Sequence, residues 1–179
     1  DQRFLVLVFI GRVSVLEAET GKLIRDVTFE QGIRDIDLLA DGETAVVTLE
    51  ERWHGDTPVS QVVLVNLLTG QKTEIDVPNC ASELVLSPEQ DKAFLAPSSC
   101  NKHPVSVIDL VSQQFVRNLP GFGPVAMAPS GQEMIAFMNM DNLDESLFEG
   151  DEPIPVEESQ YRLMFIDVET LDFETIDIG

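Results

Sequence analysis

Four stretches of this chain repeat one design, and the repetition limits what it can fold into. "VSVLEAETGKLIRDV" begins at Val13, "VVLVNLLTGQKTEIDV" at Val62, "VSVIDLVSQQFVRNL" at Val105 and "LMFIDVETLDFETIDI" at Leu163. Each is an alternating apolar run, a polar turn and a second run, the period-two pattern of strands with one buried face. Three of them are followed by a second shared pattern, "IRDIDLLADGETAVVTL", "ASELVLSPEQDKAFLAP" and "GPVAMAPSGQEMIAFMNM". There, two more strands flank tight turns at Asp41–Gly42, Glu89–Gln90 and Ser130–Gly131. Counted from Thr20, Thr69, Ser112 and Thr170, the spacings are 49, 43 and 58 residues.

A unit of four short strands recurring at this period predicts β-propeller blades. The expected fold is all-β, with about fourteen to sixteen strands. It is a propeller sector of about three complete four-stranded blades plus parts of blades at both termini. The opening "DQRFLVLVFIG" aligns with "DGETAVVTL" and "SGQEMIAFM", so residues 1–11 read as the last strand of a blade. A signal peptide would need a small-residue cleavage pattern after the apolar run, and none follows. Blades are expected over 12–58, 59–104 and 105–160, the third carrying a long acidic link over 141–160, and 161–179 supplies the first two strands of another. On this division the innermost strands are "VSVLE", "VVLVN", "VSVID" and "LMFID". Further blades of a longer chain, or another subunit, would complete the ring.

The run "VSVIDL", a turn and "GPVAMAPSGQEMIAFMN" resemble the bacterial YVTN-type propeller repeat, and the likeness covers nearly the whole chain. The YVTN strand itself is replaced by "AVVTLEE", "KAFLAPSS" and "MIAFMNMD". The resemblance implies a WD40-like ring architecture and two settings: surface-layer or adhesion-related proteins, and propeller enzymes such as lactonases.

Charge narrows the partners. Asp and Glu total 32 against 11 Lys and Arg, a net charge of −21, which repels phosphate backbones and argues against nucleic acid. No apolar run approaches the roughly 20 residues of a membrane-spanning helix.

Loop lengths divide the two faces of the propeller. The turns "ETG", "LTG", "ADG", "SPEQ" and "PSG" are short and uniform, whereas "EERWHGDTPVS", "SSCNKHP", "PGFG" and "DNLDESLFEGDEPIPVEESQ" vary and fall on the opposite face. Elaborated loops on a rigid scaffold are where binding surfaces form. The binding-face candidates are Trp53, His54, Asp56, Lys102, His103, Phe122, Leu147 and Phe148. Trp53 is an aromatic anchor candidate. His54, His103 and Asp56 are residue types that bind metal, but they lack a metal-site spacing. Asp141, Asp144, Glu145, Asp151 and Glu152 offer hard oxygen ligands for calcium, without the spacing of a calcium loop. No other cofactor is indicated. Glu17, Asn66, Asp109 and Asp167 end the expected inner strands, where they either form an axial polar ring or start turns.

Cys80 precedes one strand of a hairpin and Cys100 follows its mate. With the turn at Pro88–Asp91, paired residues share an index sum near 179, which sets the two cysteines opposite or one residue apart at the open end. A disulfide there fits the geometry and would imply an oxidising compartment, hence export to the periplasm or cell surface. The expected role is a non-enzymatic interaction or scaffold module presenting its loops to a protein or glycan. The alternative is a fragment of a lactonase- or dehydrogenase-like propeller enzyme with its centre at the channel.

Overall fold

The computed structural model describes residues 4–55, 57–78, 80–97, 104–139 and 161–178. They hold sixteen strands and no helix. Sheet I contains β1 (Phe4–Phe9), β2 (Arg12–Glu17) and β3 (Leu23–Thr28). Sheet II contains β4 (Ile33–Leu38), β5 (Thr44–Leu49), β7 (Thr57–Asn66) and β8 (Lys72–Val77), with the short β6 (Arg52–His54) added beside β7. Sheet III contains β9 (Glu83–Leu86), β10 (Lys92–Ala96), β11 (Val105–Asp109) and β12 (Gln114–Leu119). Sheet IV contains β13 (Phe122–Met127), β14 (Glu133–Asn139), β15 (Tyr161–Asp167) and β16 (Phe173–Asp177). All pairings are antiparallel between chain neighbours, apart from the extra β6.

The hydrogen bonding corrects the blade boundaries expected from the repeat. Each expected blade is cut in half, because its first two strands pair backward and not forward. Residues 161–179 are therefore the last two strands of a complete sheet, not the first two of a new one, and 1–11 holds the strand that pairs with β2. The incomplete blade among the described residues is sheet I, with three strands against four or five in the others. The reason is physical. A tandem repeat fixes the period of four strands, but its phase depends on which hairpins zip together. Here β5 pairs β7 across the long 50–56 connection, with Thr44 opposite Asn66 and Thr48 opposite Val62. Likewise β14 pairs β15 from Glu133 opposite Asp167 to Asn139 opposite Tyr161.

The new phase also moves the innermost position. The strands "VSVLE", "VVLVN", "VSVID" and "LMFID" are β2, β7, β11 and β15, each the last but one in its sheet's chain order and paired on both sides. The inner position belongs to β4, β9 and β13, where β9 contacts both of the others. The Asp35 carboxylate on β4 accepts the Leu84 N–H of β9 at 3.0 Å, joining inner strands of neighbouring sheets.

Side chains alternate across each strand, so every inner sheet buries two faces. Val13, Val15 and Val27 of sheet I meet Ala45, Val47, Leu49, Val63 and Val65 of sheet II. Val46, Val62, Leu64 and Ile75 on the reverse of sheet II meet Leu84, Ala93, Leu95 and Ile108 of sheet III. Phe94, Val105, Val107 and Leu119 then meet Met134, Met138, Met164 and Ile166 of sheet IV. At about 1.5–3 kcal/mol for each fully buried aliphatic side chain, these three layers hold the sector together.

The turns repeat as closely as the strands. After Glu17, Asn66, Asp109 and Asp167, the residue four places on has positive φ: Gly21, Gly70, Gln113 and Leu171. In the other hairpin series the same holds at Gly42, Gln90 and Gly131. Backbone bonds recur too: Leu67 N–H to Glu43 C=O, Leu110 to Asp91 and Val168 to Gln132, at 2.7–2.9 Å, tie the two turns of each sheet together.

Candidate functional site

Because strand direction alternates, the division of faces survives the change of phase. The turns at 18–22, 39–43, 67–71, 87–91, 110–113, 128–132 and 168–172 share one face. The ends of β5, β10 and β14 from which the chain leaves for β7, β11 and β15 lie on the other, with the links between sheets.

On the connection face the described structure centres on one arm. The segment "EERWHGDTPVS", read from sequence as an inter-blade loop, is a hairpin within sheet II. Arg52 lies opposite Val59, Trp53 opposite Pro58 and His54 opposite Thr57, and Gly55 has φ +66° at the bend. β7 is ten residues long and runs past the end of β5, so the arm projects beyond the sheet. Trp53 is 58% exposed on it, while Pro58 across the pair is buried. The base of the arm is fastened to the link between sheets I and II. Glu50 N–H donates to Gly32 C=O at 2.8 Å. A Cβ at Gly32 would come within 2.6 Å of the Glu50 carboxyl carbon, so the end of that side chain packs directly on the glycine. Arg34 lies 3.5 Å from Glu51 and 3.8 Å from Glu50, and Arg52 lies 3.5 Å from Glu30. Such exposed pairs contribute about 0–1 kcal/mol each and mainly orient the arm.

Other sequence candidates are less informed by the structure. His54 sits in β6 and Phe122 opens β13 opposite Phe137, both at ends that reach the connection face. Asp56, Lys102, His103, Leu147, Phe148 and the acidic residues Asp141, Asp144, Glu145, Asp151 and Glu152 lie outside the described residues. Among the described residues no cluster of His, Cys, Asp and Glu could hold a metal ion. Cys80 is buried and is not a free thiol. Its expected partner, Cys100, lies outside the described residues. The register used to pair them does hold, with Leu86 opposite Ala93.

The four residues at the ends of β2, β7, β11 and β15 act in turns, and the strands that carry them are not the inner ones. Asn66 Oδ1 accepts the N–H groups of Leu68 and Thr69 and the Thr69 hydroxyl at 2.8–3.1 Å. Asp167 Oδ1 accepts the N–H groups of Glu169 and Thr170 and the Thr170 hydroxyl. Asp109 accepts the Ser112 N–H at 2.6 Å, and Glu17 accepts the Thr20 hydroxyl. The Ser112 and Thr170 amides hold the carboxyls of Asp109 and Asp167 below the usual range. At Asp41 partial burial pushes upward, but the hydroxyl and amide of Thr44 outweigh it and the net direction is down.

Sequence reading passed over one concavity. A cleft of about 950 Å³ opens on the short-turn face between sheets III and IV, lined by Asp91, Lys92, Glu133, Asp167 and Glu169 among others. Its signal was hidden because its side chains are turn residues. Asp91 bonds the Ser87 hydroxyl at 2.8 Å and pairs with Lys92 at 2.9 Å, and Asp167 is engaged in its own turn.

No family model and no curated protein matches the chain. Solved structures do. The hydrazine synthase of Kuenenia stuttgartiensis aligns with 98% of this chain and 46% of its own, at 21% identity and a TM-score of 0.65. The Dos1 propeller aligns with 98% of this chain and 44% of its own, at 16% identity and a TM-score of 0.65. At these identities the likeness concerns the fold, and the chain spans less than half the length of either structure. Sheets of four antiparallel strands, set face to face around β4, β9 and β13, make this chain a sector of a β-propeller.

Proposed function

We propose that the chain is an interaction module, a non-enzymatic propeller sector of the YVTN-like kind that presents its connection face to a protein or glycan. The observation that carries the reading is Trp53, the chain's single tryptophan, 58% exposed at the tip of a fastened arm. A large aromatic held out on a rigid support matches the usual chemistry of a binding hot spot. The net charge of −21 favours a partner with a basic surface. Export to the periplasm or cell surface goes with this role. A bridge between Cys80 and Cys100 would go with it: Cys80 is not a free thiol, and the chain has one other cysteine. The enzyme alternative loses the axial polar ring on which it rested, because those four side chains are committed to turns.

Tryptophan emission tests the reading directly against a panel of immobilised glycans and basic proteins. A true partner should shift the Trp53 emission, and Trp53→Ala should weaken binding by about 30-fold. Glu169→Ala, on the opposite face, should leave binding unchanged. Binding that is indifferent to Trp53→Ala, or lost with Glu169→Ala, would overturn the assignment of the face.

A further inference from the structure

Among the described residues three aromatic side chains are exposed: Phe9, Trp53 and Tyr161. Two of them already have a partner for the ring. The Arg12 guanidinium lies 4.6 Å from the centroid of Phe9, and the Phe137 ring lies 5.5 Å from Tyr161. Trp53 is the most open of the three, at 58%. It shares its face of the hairpin arm with Pro58, its cross-strand neighbour, which is buried. The arm therefore holds the indole on one side and leaves the rest of it to solvent.

The arginines beside the arm are spent elsewhere. Arg52, next to Trp53 in β6, turns to Glu30 at 3.5 Å, and Arg34 reaches Glu51 at 3.5 Å and Glu50 at 3.8 Å. Consecutive strand residues point to opposite faces, so Arg52 is directed away from the indole. Three carboxylates against two guanidinium groups leave the base of the arm net negative, and the Glu30 side chain is 90% exposed. These surroundings attract a cation brought to the ring and repel an anion. Of the aromatic side chains, indole binds a cation over its face best, and guanidinium is the side-chain cation that most often takes that place. Guanidinium is also planar and weakly hydrated, so it stacks at a small desolvation cost.

We propose that Trp53 takes an arginine side chain of a protein partner, stacked on the open part of the indole and drawn in by the carboxylates at the base of the arm. The inference rests on the interaction reading above and narrows it from a protein or glycan to a protein that presents arginine. The net charge of −21 acts in the same direction at longer range, on the rate of encounter more than on the contact itself. A neutral glycan would use the ring and leave the surrounding acids without a role.

Trp53 is the chain's single tryptophan, so a fluorinated tryptophan supplied during expression alters this ring and no other. The probe is a dye-labelled peptide of three arginines alternating with glycine. Its binding is followed by fluorescence anisotropy at about 0.15 M salt, where long-range attraction is largely screened. Difluorotryptophan should weaken binding about fivefold, because fluorine draws electrons from the ring face. Trp53→Leu keeps an apolar side chain without the ring and should weaken it about tenfold. The same peptide with neutral citrulline in place of arginine should also bind about tenfold more weakly. Equal affinity of the native and fluorinated chains, or equal affinity for the arginine and citrulline peptides, would overturn the proposal. Trp53 emission separates that result from failure of the wider reading. An emission shifted by a neutral oligosaccharide such as cellotetraose, and not by the arginine peptide, would refute arginine and keep Trp53 as a contact. An emission unmoved by the peptide and by every member of the glycan and protein panel would refute both.

Discussion

Leu7 and Leu95 are the same residue at the same place in the repeat, which makes them a controlled comparison. Each lies three residues beyond the start of the second strand's register, at Phe4 and Lys92. Leu95 is fully buried between sheets II and III, within a layer that includes Leu64, Leu84 and Ile108. Leu95→Ala removes its transfer free energy and leaves a cavity walled by two sheets that cannot both collapse, a loss of about 3 kcal/mol. That is a large share of the 5–15 kcal/mol typical of a folded domain. Leu7 is 45% exposed, so it gains roughly half of a leucine's burial, and solvent fills the space it vacates. Leu7→Ala should cost about 1 kcal/mol. Urea unfolding followed by circular dichroism, at a concentration too low for copies to associate, reads both as shifts of the midpoint at constant slope. Equal losses at low concentration would refute the reasoning, because they would require sheet I to be covered within one molecule.

Gln113 holds a φ of +58° where two sister turns have glycine, so Gln113→Gly should stabilise the chain by about 1 kcal/mol, and a loss of stability in the same urea assay would contradict the turn assignment. The carboxyls of Asp41, Asp109 and Asp167 lie below their unfolded values, so their stabilisation is complete above the unfolded pKa near 4 and lost as the pH falls through the lower folded values. The urea midpoint should decline below about pH 5, and replacing all three with Asn should flatten that decline.

What could be read from the sequence was the local unit. Alternation over Val13–Leu16 or Val105–Ile108 has only one structural meaning, and the Asp, Asn and Gly positions mark where each hairpin bends. The turn role of Asn66, Asp109 and Asp167 was legible for the same reason: a short polar acceptor four residues before a positive-φ position bonds the intervening amides. The blade phase was not legible. Strands β2 and β3 look alike whether they open a sheet or close it, because both states present one buried face and one tight turn. The decisive bonds join β5 to β7 and β14 to β15 across the longest connections, where sequence separation hides the pairing. The arm was missed on similar grounds. "RWH" is too short to show alternation, and it becomes a strand only because β7 overruns its partner and offers a free edge.

Phase also decides which residues face the axis, and so what kind of site the fold can hold. With "VSVID" innermost, its terminal carboxylate would point toward a channel and invite a catalytic reading. With β4, β9 and β13 innermost, the equivalent places fall in strands whose acidic side chains join neighbouring sheets, as Asp35 does with Leu84. The carboxylates that looked axial are instead spent on the short-turn face, Asp109 and Asp167 anchored by amides two or three residues away and Glu17 by the Thr20 hydroxyl. That face is constrained by the hairpin geometry of every sheet. The connection face has no such duty, since its segments need only return the chain to the next strand. An inserted arm bearing Trp53 therefore costs the scaffold little, and recognition can vary there while the four sheets stay as they are.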